Sequence, residues 1–536
     1  MNNDIEHAIH YHEATKHSEL GLQMSRHYLD WDDKPRPFKV YHDLPSIPIP
    51  HDFPIPTADA LTCIRSIRPL LPESPFDFRQ LAQLLFFSAG ITREMKYDSG
   101  TYYMRAASAT GALYPIELYV VSKDFAGLPA GVYHFCPGDF SLVELRTGDY
   151  RSKLAEMAGC NPDILSSAVT LAFASFAWRN AWKYGDRSYR HWFWDSGVIA
   201  ANLLAIANSA GIRSALVTGF LDPEVNNLLR LEQRREAVVV LAPIGSSLAK
   251  AADLSDFRPD PEPVPVLAIP RILPISKREA EHPEIWKLHE ASSLLNGEEV
   301  AQWLGPSKNK FSKVASEDLS QEDTQDRPQN LDSLSDVILR RGSSRRFSRS
   351  AISKNQLSTI LYCSTRGIPL DILRNGESLV DIYLIANAVE VLAPGHYFYN
   401  RHANSLEQLD TRKELDSRNE SGYLCLGQRL FSDASAVLFM MTDLDVILKT
   451  LGNRGYRACQ FEAGVVAGKI YLSSYAQGLG ASGSTFYDDA VTESFSPHAR
   501  NKAAMIAVGV GMPAYKARRG KILAARLTRN QLLSNW

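Results

Sequence analysis

The sequence predicts an α+β protein made of two tandem copies of one fold, which pack together as an intramolecular pseudo-dimer. The main observation is an internal repeat, in which Lys183–Phe220 aligns without a gap with Thr450–Tyr487. A second pair of segments matches Tyr119 with Tyr383. Strand-like and helix-like runs alternate in both copies, which is typical of a sheet flanked by helices. Fused duplicates commonly retain the interface of an ancestral dimer, so we expect the copies to face each other.

Each copy has the same predicted order of elements. A β-rich run and a hairpin come first, and a long buried helix follows, ending near Gly211 in the first copy and Gly478 in the second. A last β-rich run closes each copy. The predicted strands are 116–121 and 237–245 in the first copy, and 381–387 and 503–511 in the second.

Two stretches interrupt the copies. Residues 257–276 are proline-rich and are expected to form an extended connector. Residues 306–333 are almost free of large apolar side chains and are expected to form a surface linker, while the stretch between has helical spacing. We therefore expect a first domain at 1–250, a linker with a helical segment at 251–333, and a second domain at 334–536.

The composition argues against several classes of protein. The 58 Lys and Arg balance 60 Asp and Glu, a formal charge of -2 that gives no basic footprint for nucleic acid. The 6 cysteines contain no Cys-x-x-Cys pair and the 14 histidines show no ligand spacing, so neither a disulfide framework nor a metal site is expected. No apolar run reaches the roughly 18 residues of a membrane span, and the N-terminus has no signal-peptide pattern. We expect a cytoplasmic protein without a membrane partner.

Several motifs resemble the nitroreductase superfamily, and within it the SagB/ThcOx-type dehydrogenases, which include the azoline oxidases of ribosomal-peptide pathways. These motifs are Tyr11–Ser18, Arg105–Tyr119, Trp178–Arg190 with its following helix, and Gly478–Asp489. The resemblance implies a mixed sheet flanked by helices, FMN at a dimer-like interface, and hydride transfer at flavin N5. It also implies a peptide or small-molecule substrate, with a cyclodehydratase or another biosynthetic protein as a partner.

Two basic motifs are candidate sites for the FMN phosphate. Arg341, Ser343 and Arg345 precede an apolar helix, where guanidinium groups and a hydroxyl suit a phosphate. A solvated basic segment is the usual alternative, and the resemblance favours the FMN role. Arg518 and Arg519 follow the last strand and are the second candidate, with an exposed basic tail as the alternative.

Two runs of small residues are candidate contacts with the flavin ring. Small side chains let a backbone approach a flat ring closely, and backbone N–H groups can stabilise charge on it. The alternatives are a plain turn before a strand and a helix cap with its connector. The candidates are Arg105, Ser108, Gly111, Ala112 and Leu113 in the first copy, and Gly480, Ala481, Ser482 and Gly483 in a glycine-rich loop of the second.

The dipeptide Lys183-Tyr184 is the candidate catalytic pair. The resemblance assigns this pair to proton abstraction, and either side chain could be the base, because charge and burial shift both pKa values. A helix-start lysine beside a packing tyrosine is the alternative. The counterparts Thr450 and Leu451 cannot do acid–base work. Residues present in both copies are expected to be structural, namely Arg187, Tyr189, Arg190, Asp195 and their counterparts.

The copies have lost complementary parts of the pattern. In the first copy Ile64 replaces the first arginine of the phosphate motif, although Ser66 and Arg68 remain. We therefore expect one composite site with one FMN per chain. The expected reaction is oxidation of thiazoline or oxazoline rings in a modified peptide. Alternatives are an FMN-dependent desaturase of another peptide, amino-acid-derived or carrier-bound intermediate, and an inactive pseudo-dimer that scaffolds a biosynthetic complex.

Overall fold

The computed structural model describes residues 2–25, 28–72, 75–97, 100–245, 262–305, 312–313, 332–374, 376–410, 416–516, 518–522 and 527–534. Within these ranges the chain forms two bodies, each built on a six-stranded sheet with helices packed against it. The expected α+β class and the tandem arrangement are confirmed. The limits expected for the domains stay predictions, because the segments 246–261 and 314–331 lie outside the described residues.

The elements are numbered in chain order. The helices are α1 (Glu6–Ala14), α2 (Glu19–Met24), α3 (Ala60–Arg65), α4 (Phe78–Ala89), α5 (Arg151–Met157), α6 (Pro162–Ser166), α7 (Ala177–Tyr184), α8 (Ser188–Ser209), α9 (Asp222–Leu228), α10 (Pro283–Ala291), α11 (Gly297–Leu304), α12 (Leu334–Arg340), α13 (Lys354–Ser364), α14 (Ser417–Leu424), α15 (Arg429–Asp433), α16 (Leu444–Leu451), α17 (Asn453–Ala476), α18 (Asp488–Ser494) and α19 (Arg529–Ser534). The strands are β1 (Ser46–Pro48), β2 (Ile91–Tyr97), β3 (Gly100–Arg105), β4 (Ile116–Ser122), β5 (Gly131–Cys136), β6 (Ser141–Thr147), β7 (Val169–Phe176), β8 (Glu236–Ile244), β9 (Ser312–Lys313), β10 (Glu377–Ser378), β11 (Asp381–Ala386), β12 (Gly395–Asn400), β13 (Ser405–Gln408), β14 (Ala436–Thr442), β15 (Gly480–Ser484) and β16 (Ala503–Gly511).

The two sheets have closely related strand orders. The first runs β1-β6-β5-β4-β7-β8 and the second β13-β12-β11-β14-β16-β15. Neighbouring strands in both sheets pair antiparallel, whereas the resemblance implied a mixed sheet. The reason is that hairpins and helical connections return each strand in the opposite direction to its neighbour. A parallel bridge does occur between the copies, at Leu216 and Leu370.

The central helices α8 and α17 hold the copies together. They pack against each other along their lengths, and every residue of both helices is buried. Glycines allow the closest approach, because a methyl group added at Gly464 would come within 2.7 Å of the Trp194 Cα. Gly197 faces the same crossing from the opposite helix. Since such backbone contact tolerates no side chain, the repeated glycines of the sequence are explained by this interface.

Helix α10 is the counterpart of α1. The tripeptide His-Glu-Ala occurs at 12–14 in α1 and at 289–291 in α10. The His12 Nδ1 lies 3.4 Å from the Tyr456 hydroxyl oxygen, and the His289 Nδ1 lies 3.3 Å from that of Tyr189. Each histidine therefore contacts the central helix of the other copy. The helical segment expected within 251–333 therefore has α1 as its counterpart.

Two buried ion clusters join the copies. The Asp488 carboxylate accepts hydrogen bonds from Arg187 Nη1 at 2.9 Å and Arg190 Nη1 at 2.8 Å. These arginines lie at the start of the first central helix, whereas the aspartate belongs to the second copy. Because the guanidinium groups favour the carboxylate, they hold the pKa of Asp488 well below its usual range. The equivalent cluster on the other side consists of Asp222, Arg454 and Arg457.

The C-terminal segment of the second copy crosses the first copy. The Gly520 N–H donates to the Leu339 carbonyl at 2.7 Å, and the next N–H donates to the Thr92 carbonyl at 2.8 Å. Further on, the Leu532 side chain packs against Gly138. Among the described residues, no helix is long and apolar enough to cross a membrane. The same residues contain no cluster of His, Cys, Asp and Glu that could hold a metal ion.

Candidate active site

The candidate catalytic pair lies in the last turn of α7. Lys183 and Tyr184 are both half-buried, and the helix ends at Gly185, whose φ of 54° is a conformation that favours glycine. The Lys183 Nζ lies 5.4 Å from the centre of the Tyr184 ring. That ring meets the buried His191 imidazole edge-on, with 4.6 Å between ring centres. The structure therefore places the pair side by side at the start of the central helix.

Tyr184 also contacts the first small-residue run. A methyl group added at Gly111 would lie 2.6 Å from the Tyr184 hydroxyl oxygen, so only glycine leaves room for this approach. The backbone of the run is unusual, because φ is 64° at Gly111, 55° at Ala112 and 50° at Tyr114. Left-handed non-glycine residues cost about 1–3 kcal/mol each and persist where the surroundings impose them. The run is therefore held in place by its neighbours.

Asp195 on α8 is one of these neighbours. Its carboxyl group accepts from the Thr110 N–H at 2.9 Å and from the Thr110 hydroxyl at 2.8 Å. Burial raises the pKa of this carboxyl to about 7, and the Thr110 donors counteract that effect only in part. Burial, together with the Asp195 charge, also raises the pKa of Tyr184. The phenol therefore stays protonated near neutral pH.

Arg341 reaches from the second copy to the same run. Its Nε donates to the Ala106 carbonyl at 2.9 Å, and its Nη2 donates to the Arg105 carbonyl at 3.1 Å. The side chain is buried, and burial lowers its pKa. In this arrangement Arg341 fixes one copy to the other, a role that the phosphate-binding prediction did not include.

Two of the first-copy candidates, Arg105 and Ser108, line one small cavity. Arg105 is buried with its guanidinium 4.8 Å from the centre of the Tyr114 ring, and its Nη2 donates to the Pro37 carbonyl at 2.7 Å. Ser108 is half-buried and lines the cavity together with Arg105, Tyr114 and Asp195. Leu113 is almost completely buried.

The glycine-rich run of the second copy is a strand, whereas the sequence predicted a loop. Residues 480–484 form β15, which pairs with β16 at the edge of the second sheet. Gly480 is buried against Ser344, and a methyl group there would overlap the serine hydroxyl. The Gly483 N–H donates to the Tyr471 hydroxyl at 2.6 Å, and the Ser343 hydroxyl lies 3.3 Å from the same phenol oxygen. Tyr471 thus connects the two second-copy motifs.

The basic candidates are brought to one edge of the second copy. The backbone N–H of Arg345 donates to the Tyr515 hydroxyl at 3.0 Å, which places the Arg-x-Ser-x-Arg segment beside the C-terminal basic segment. Arg345 and Arg518 are exposed, so both can reach an anion. Arg519 differs, because it forms an ion pair with Asp336 of α12. The role of these residues toward FMN stays a prediction.

The equivalent position on the other side is closed. Leu216, the counterpart of Gly483, donates its N–H to the Pro369 carbonyl at 2.9 Å, and its carbonyl accepts from the Asp371 N–H at 2.9 Å. The Asp371 carboxylate accepts from the Thr218 N–H at 2.7 Å and the Gly219 N–H at 2.8 Å. On this side the first-copy segment 216–219 and the second-copy segment 369–371 are thus hydrogen-bonded directly to each other.

A buried lysine makes a further contact between the copies on the side bridged by Leu216. The Lys469 amino group is buried and donates to the backbone carbonyls of Ile64 and Gly367, both at 2.9 Å. Ile64 occupies the position of the missing arginine, so an amino group from the second copy binds the carbonyl there. Together with the Leu216 bridge, this contact joins the two copies directly on the second side.

The side that carries Lys183 and Tyr184 differs from the bridged side, and its groups would suit FMN. Between β15 and the run at 105–113, the described residues form no direct strand pairing like that at Leu216. Gly483 is exposed and leaves the second-copy backbone uncovered there, and Arg345 with Arg518 provides positive charge at the edge. These donors fit an anionic, flat cofactor.

Sequence reasoning missed several residues of this site. Thr110 and Tyr471 carry no motif that marks them, since their importance comes only from the hydrogen bonds they make across the fold. His191 was expected to pack in the helix, and its ring contact with Tyr184 depends on the turn at Gly185. Asp488 could have been found, because Phe-Leu-Asp and Phe-Tyr-Asp end at equivalent places after the repeated helix.

Comparisons with known proteins agree with this fold. Residues 65–246 match the Nitroreductase family. A crystal structure of a protein described as a nitroreductase, from Anabaena variabilis, is 25% identical and superposes with a TM-score of 0.71. That match covers 95% of this chain and 99% of the other. The tandem arrangement therefore has a counterpart of nearly the same extent.

Three further relatives are similar over one part of the chain. MJ1384 of Methanocaldococcus jannaschii, named as a nitroreductase, is 29% identical over 38% of this chain and 98% of its own length. The microcin B17-processing protein McbC of Escherichia coli is 26% identical over 24% of this chain and 50% of its own. The trifolitoxin-processing protein TfxB of Rhizobium leguminosarum is 29% identical over 36% and 52%. The chain thus spans about half the length of the two peptide-processing relatives.

Residues 65–246 therefore form a nitroreductase-family domain, as the resemblance implied.

Proposed function

We propose that this oxidoreductase is an FMN-dependent dehydrogenase that oxidises thiazoline or oxazoline rings in a modified peptide. The observation that carries the proposal is the position of the Lys183–Tyr184 pair: the Tyr184 hydroxyl lies against Gly111 of the small-residue run, and the Lys183 Nζ lies 5.4 Å from the centre of the Tyr184 ring. The two relatives named for processing microcin B17 and trifolitoxin support a peptide substrate. A cyclodehydratase that makes such rings is the proposed partner.

The proposed FMN site is composite. Ser343, Arg345 and Arg518 would hold the phosphate and ribityl chain, and the backbone of β15 would face one side of the ring. The first-copy run at 105–113 would cover the other side, fixed by Arg341. When bound, FMN supplies a two-electron acceptor for the hydrogen that leaves the substrate as hydride.

The chain's own residues would handle the proton. Lys183 is the proposed acceptor of the proton from the ring carbon, which the adjacent imine and carbonyl make acidic. Because burial and the charge on Asp195 raise the pKa of Tyr184, its hydroxyl acts as a hydrogen-bond donor that orients the substrate. Loss of this proton and of a hydride together turns an azoline into an aromatic azole.

We expect a single FMN site per chain, because the two sides of the interface between the copies differ. The bridge from Leu216 to the Pro369–Asp371 segment fills the second slot, so one FMN per chain is expected. The 6 cysteines are all free, which supports a reducing cytoplasm as the compartment.

Two measurements test the proposal. Purified protein should be yellow, and flavin absorbance against total phosphorus should give one FMN per chain; two FMN would contradict the closed slot. Incubation with azoline-containing peptides should then remove two hydrogens from each ring, as measured by mass spectrometry. A flavin-loaded protein that leaves azoline peptides unchanged but desaturates a different peptide would replace this substrate with the alternative one. Protein that takes up no flavin would be a scaffold.

A further inference from the structure

Asp195 links the central helix to the run that faces Tyr184. Its carboxyl oxygens accept from both the N–H and the hydroxyl of Thr110, at 2.9 Å and 2.8 Å, and the side chain is 3% exposed. The residue after Thr110 is Gly111, the one that lies against the Tyr184 hydroxyl. One continuous path of contacts therefore runs from Asp195 through the Thr110 backbone to the candidate catalytic phenol.

The run needs such a restraint. Ala112 and Tyr114 have φ values of 55° and 50°, which side chains disfavour. A free segment would relax out of this conformation, and Gly111 would then move relative to Tyr184. Two other contacts hold the ends of the run, since Arg341 binds the Arg105 and Ala106 carbonyls and the Arg179 Nη1 donates to the Tyr114 carbonyl at 2.9 Å. Asp195 holds its middle.

The second copy contains an equivalent carboxylate contact, but no candidate catalytic pair lies beside it. The Glu462 carboxylate accepts from the Ser378 hydroxyl and the Leu379 N–H, both at 2.6 Å, and so fixes the segment before β11. On that side Thr450 and Leu451 replace the Lys-Tyr pair. The two carboxylates therefore have equivalent architectural roles, and only one of them lies beside a candidate catalytic pair.

We propose that Asp195 is a positioning residue for the reaction: by binding Thr110 it sets the distance between the Gly111 backbone and the Tyr184 hydroxyl. The expected effect of Asp195 on turnover rests on the proposed function. Its expected effect on the conformation of residues 108–114 rests on the geometry alone. Because Asp195 has a counterpart in the second copy, the sequence predicts only a structural role for it. The proposal adds an effect on the rate of the reaction.

Amide hydrogen exchange tests the geometric part on flavin-loaded full-length protein. Asp195→Ala should speed exchange in peptides covering 108–114 and leave those covering 376–380 unchanged. Glu462→Ala is the matched control and should do the reverse. Thr110→Val, which removes the hydroxyl and keeps the backbone bond, should give a smaller increase at 108–114. Unchanged exchange at 108–114 in a folded Asp195→Ala protein would overturn the inference, whatever the substrate is.

Turnover tests the catalytic part. Misplacement by about 1 Å can cost on the order of 100-fold in rate, so kcat of Asp195→Ala should fall roughly 10- to 100-fold while KM changes little. If Asp195 acts through Tyr184, the double variant Asp195→Ala/Tyr184→Phe should be no slower than Tyr184→Phe alone. Glu462→Ala should leave kcat near the parent value. Additive losses in the double variant, or an equal loss in Glu462→Ala, would show a general structural effect and overturn the assignment.

The two experiments separate the possible failures. If the parent protein oxidises no azoline while Asp195→Ala still loosens 108–114, the proposed function fails and the positioning role stands. If the parent is active and Asp195→Ala keeps full kcat, the positioning role fails and the function stands.

Discussion

Arg345 and Arg68 form a matched pair that tests the one-sided cofactor site. They are equivalent positions of the Arg-x-Ser-x-Arg pattern, and both side chains are exposed, so replacing either should cost little stability. Only Arg345 lies beside the C-terminal basic segment, through its N–H bond to Tyr515. Arg345→Ala should therefore weaken FMN binding, and Arg68→Ala should not.

The size of the effect follows from the exposure of the side chain. A hydrogen bond to a charged group contributes about 1.5–3 kcal/mol. Because water competes at an exposed guanidinium, the lower end applies, and each 1.4 kcal/mol is about tenfold in Kd. We expect FMN to bind Arg345→Ala roughly tenfold more weakly. Arg341→Ala is less informative, since it also removes the bonds to the first-copy run.

Titration of the apoprotein with FMN, followed by quenching of flavin fluorescence, measures this difference directly. The two variants should be compared at equal ionic strength, because salt screens exposed charges. An Arg68→Ala protein that loses as much affinity as Arg345→Ala would refute the reasoning, since it would mean that the side closed by Leu216 also binds the cofactor.

Two further predictions concern catalysis and stability. Lys183→Ala and Tyr184→Phe should remain yellow and folded, with turnover reduced roughly 10²–10⁴-fold, because the first removes the proposed proton acceptor and the second removes the hydroxyl that orients the substrate. Thr450→Ala, the matched change in the second copy, should keep the parent rate in the same azoline assay. Asp488→Ala should lower the free energy of unfolding by about 3–5 kcal/mol, because it leaves buried guanidinium groups unpaired, and Asp222→Ala should lose a similar amount in urea denaturation. The pKa of Asp488 is lowered in the folded protein, so its stabilisation is present at neutral pH and is lost as pH falls below about 4. An unfolding free energy of Asp488→Asn that falls as steeply as the parent's between pH 4 and pH 2 would argue against this cluster as the source.

The sequence alone predicted the elements that depend on local pattern. The repeated central helix, its end at Gly211 and Gly478, and the buried strands follow from apolar spacing and from glycine at a helix end. β15 was read as a loop, because glycine and serine carry no alternation of side chains and its pairing with β16 is made by backbone groups. No local pattern could have shown that Asp371 closes the second slot, since the partner N–H groups lie in the other copy.

The candidate site could likewise be predicted only in part from the sequence. Motif residues such as Gly111 and Lys183 were found because their types suit the chemistry. Arg341 was found for its charge, but its buried bonds to first-copy carbonyls depend on how the copies meet. The sequence predicts only a structural role for Asp195, because the second copy has a counterpart. A role in positioning the catalytic pair becomes visible only when the neighbouring residues are known.

The bridge at Leu216 has a consequence for how such a protein can accumulate substitutions during evolution. In an assembly of two identical chains, one codon specifies both symmetric positions, and a leucine that fills one slot would fill the other as well. Here Leu216 and its counterpart Gly483 are separate codons of one gene. A substitution therefore affects one side only, and the side bridged by Leu216 can accumulate changes that strengthen the interface without altering the other side. Covalent fusion thus allows one side of the interface between the copies to become a dedicated support, while the other side, to which both copies contribute, keeps the proposed chemistry.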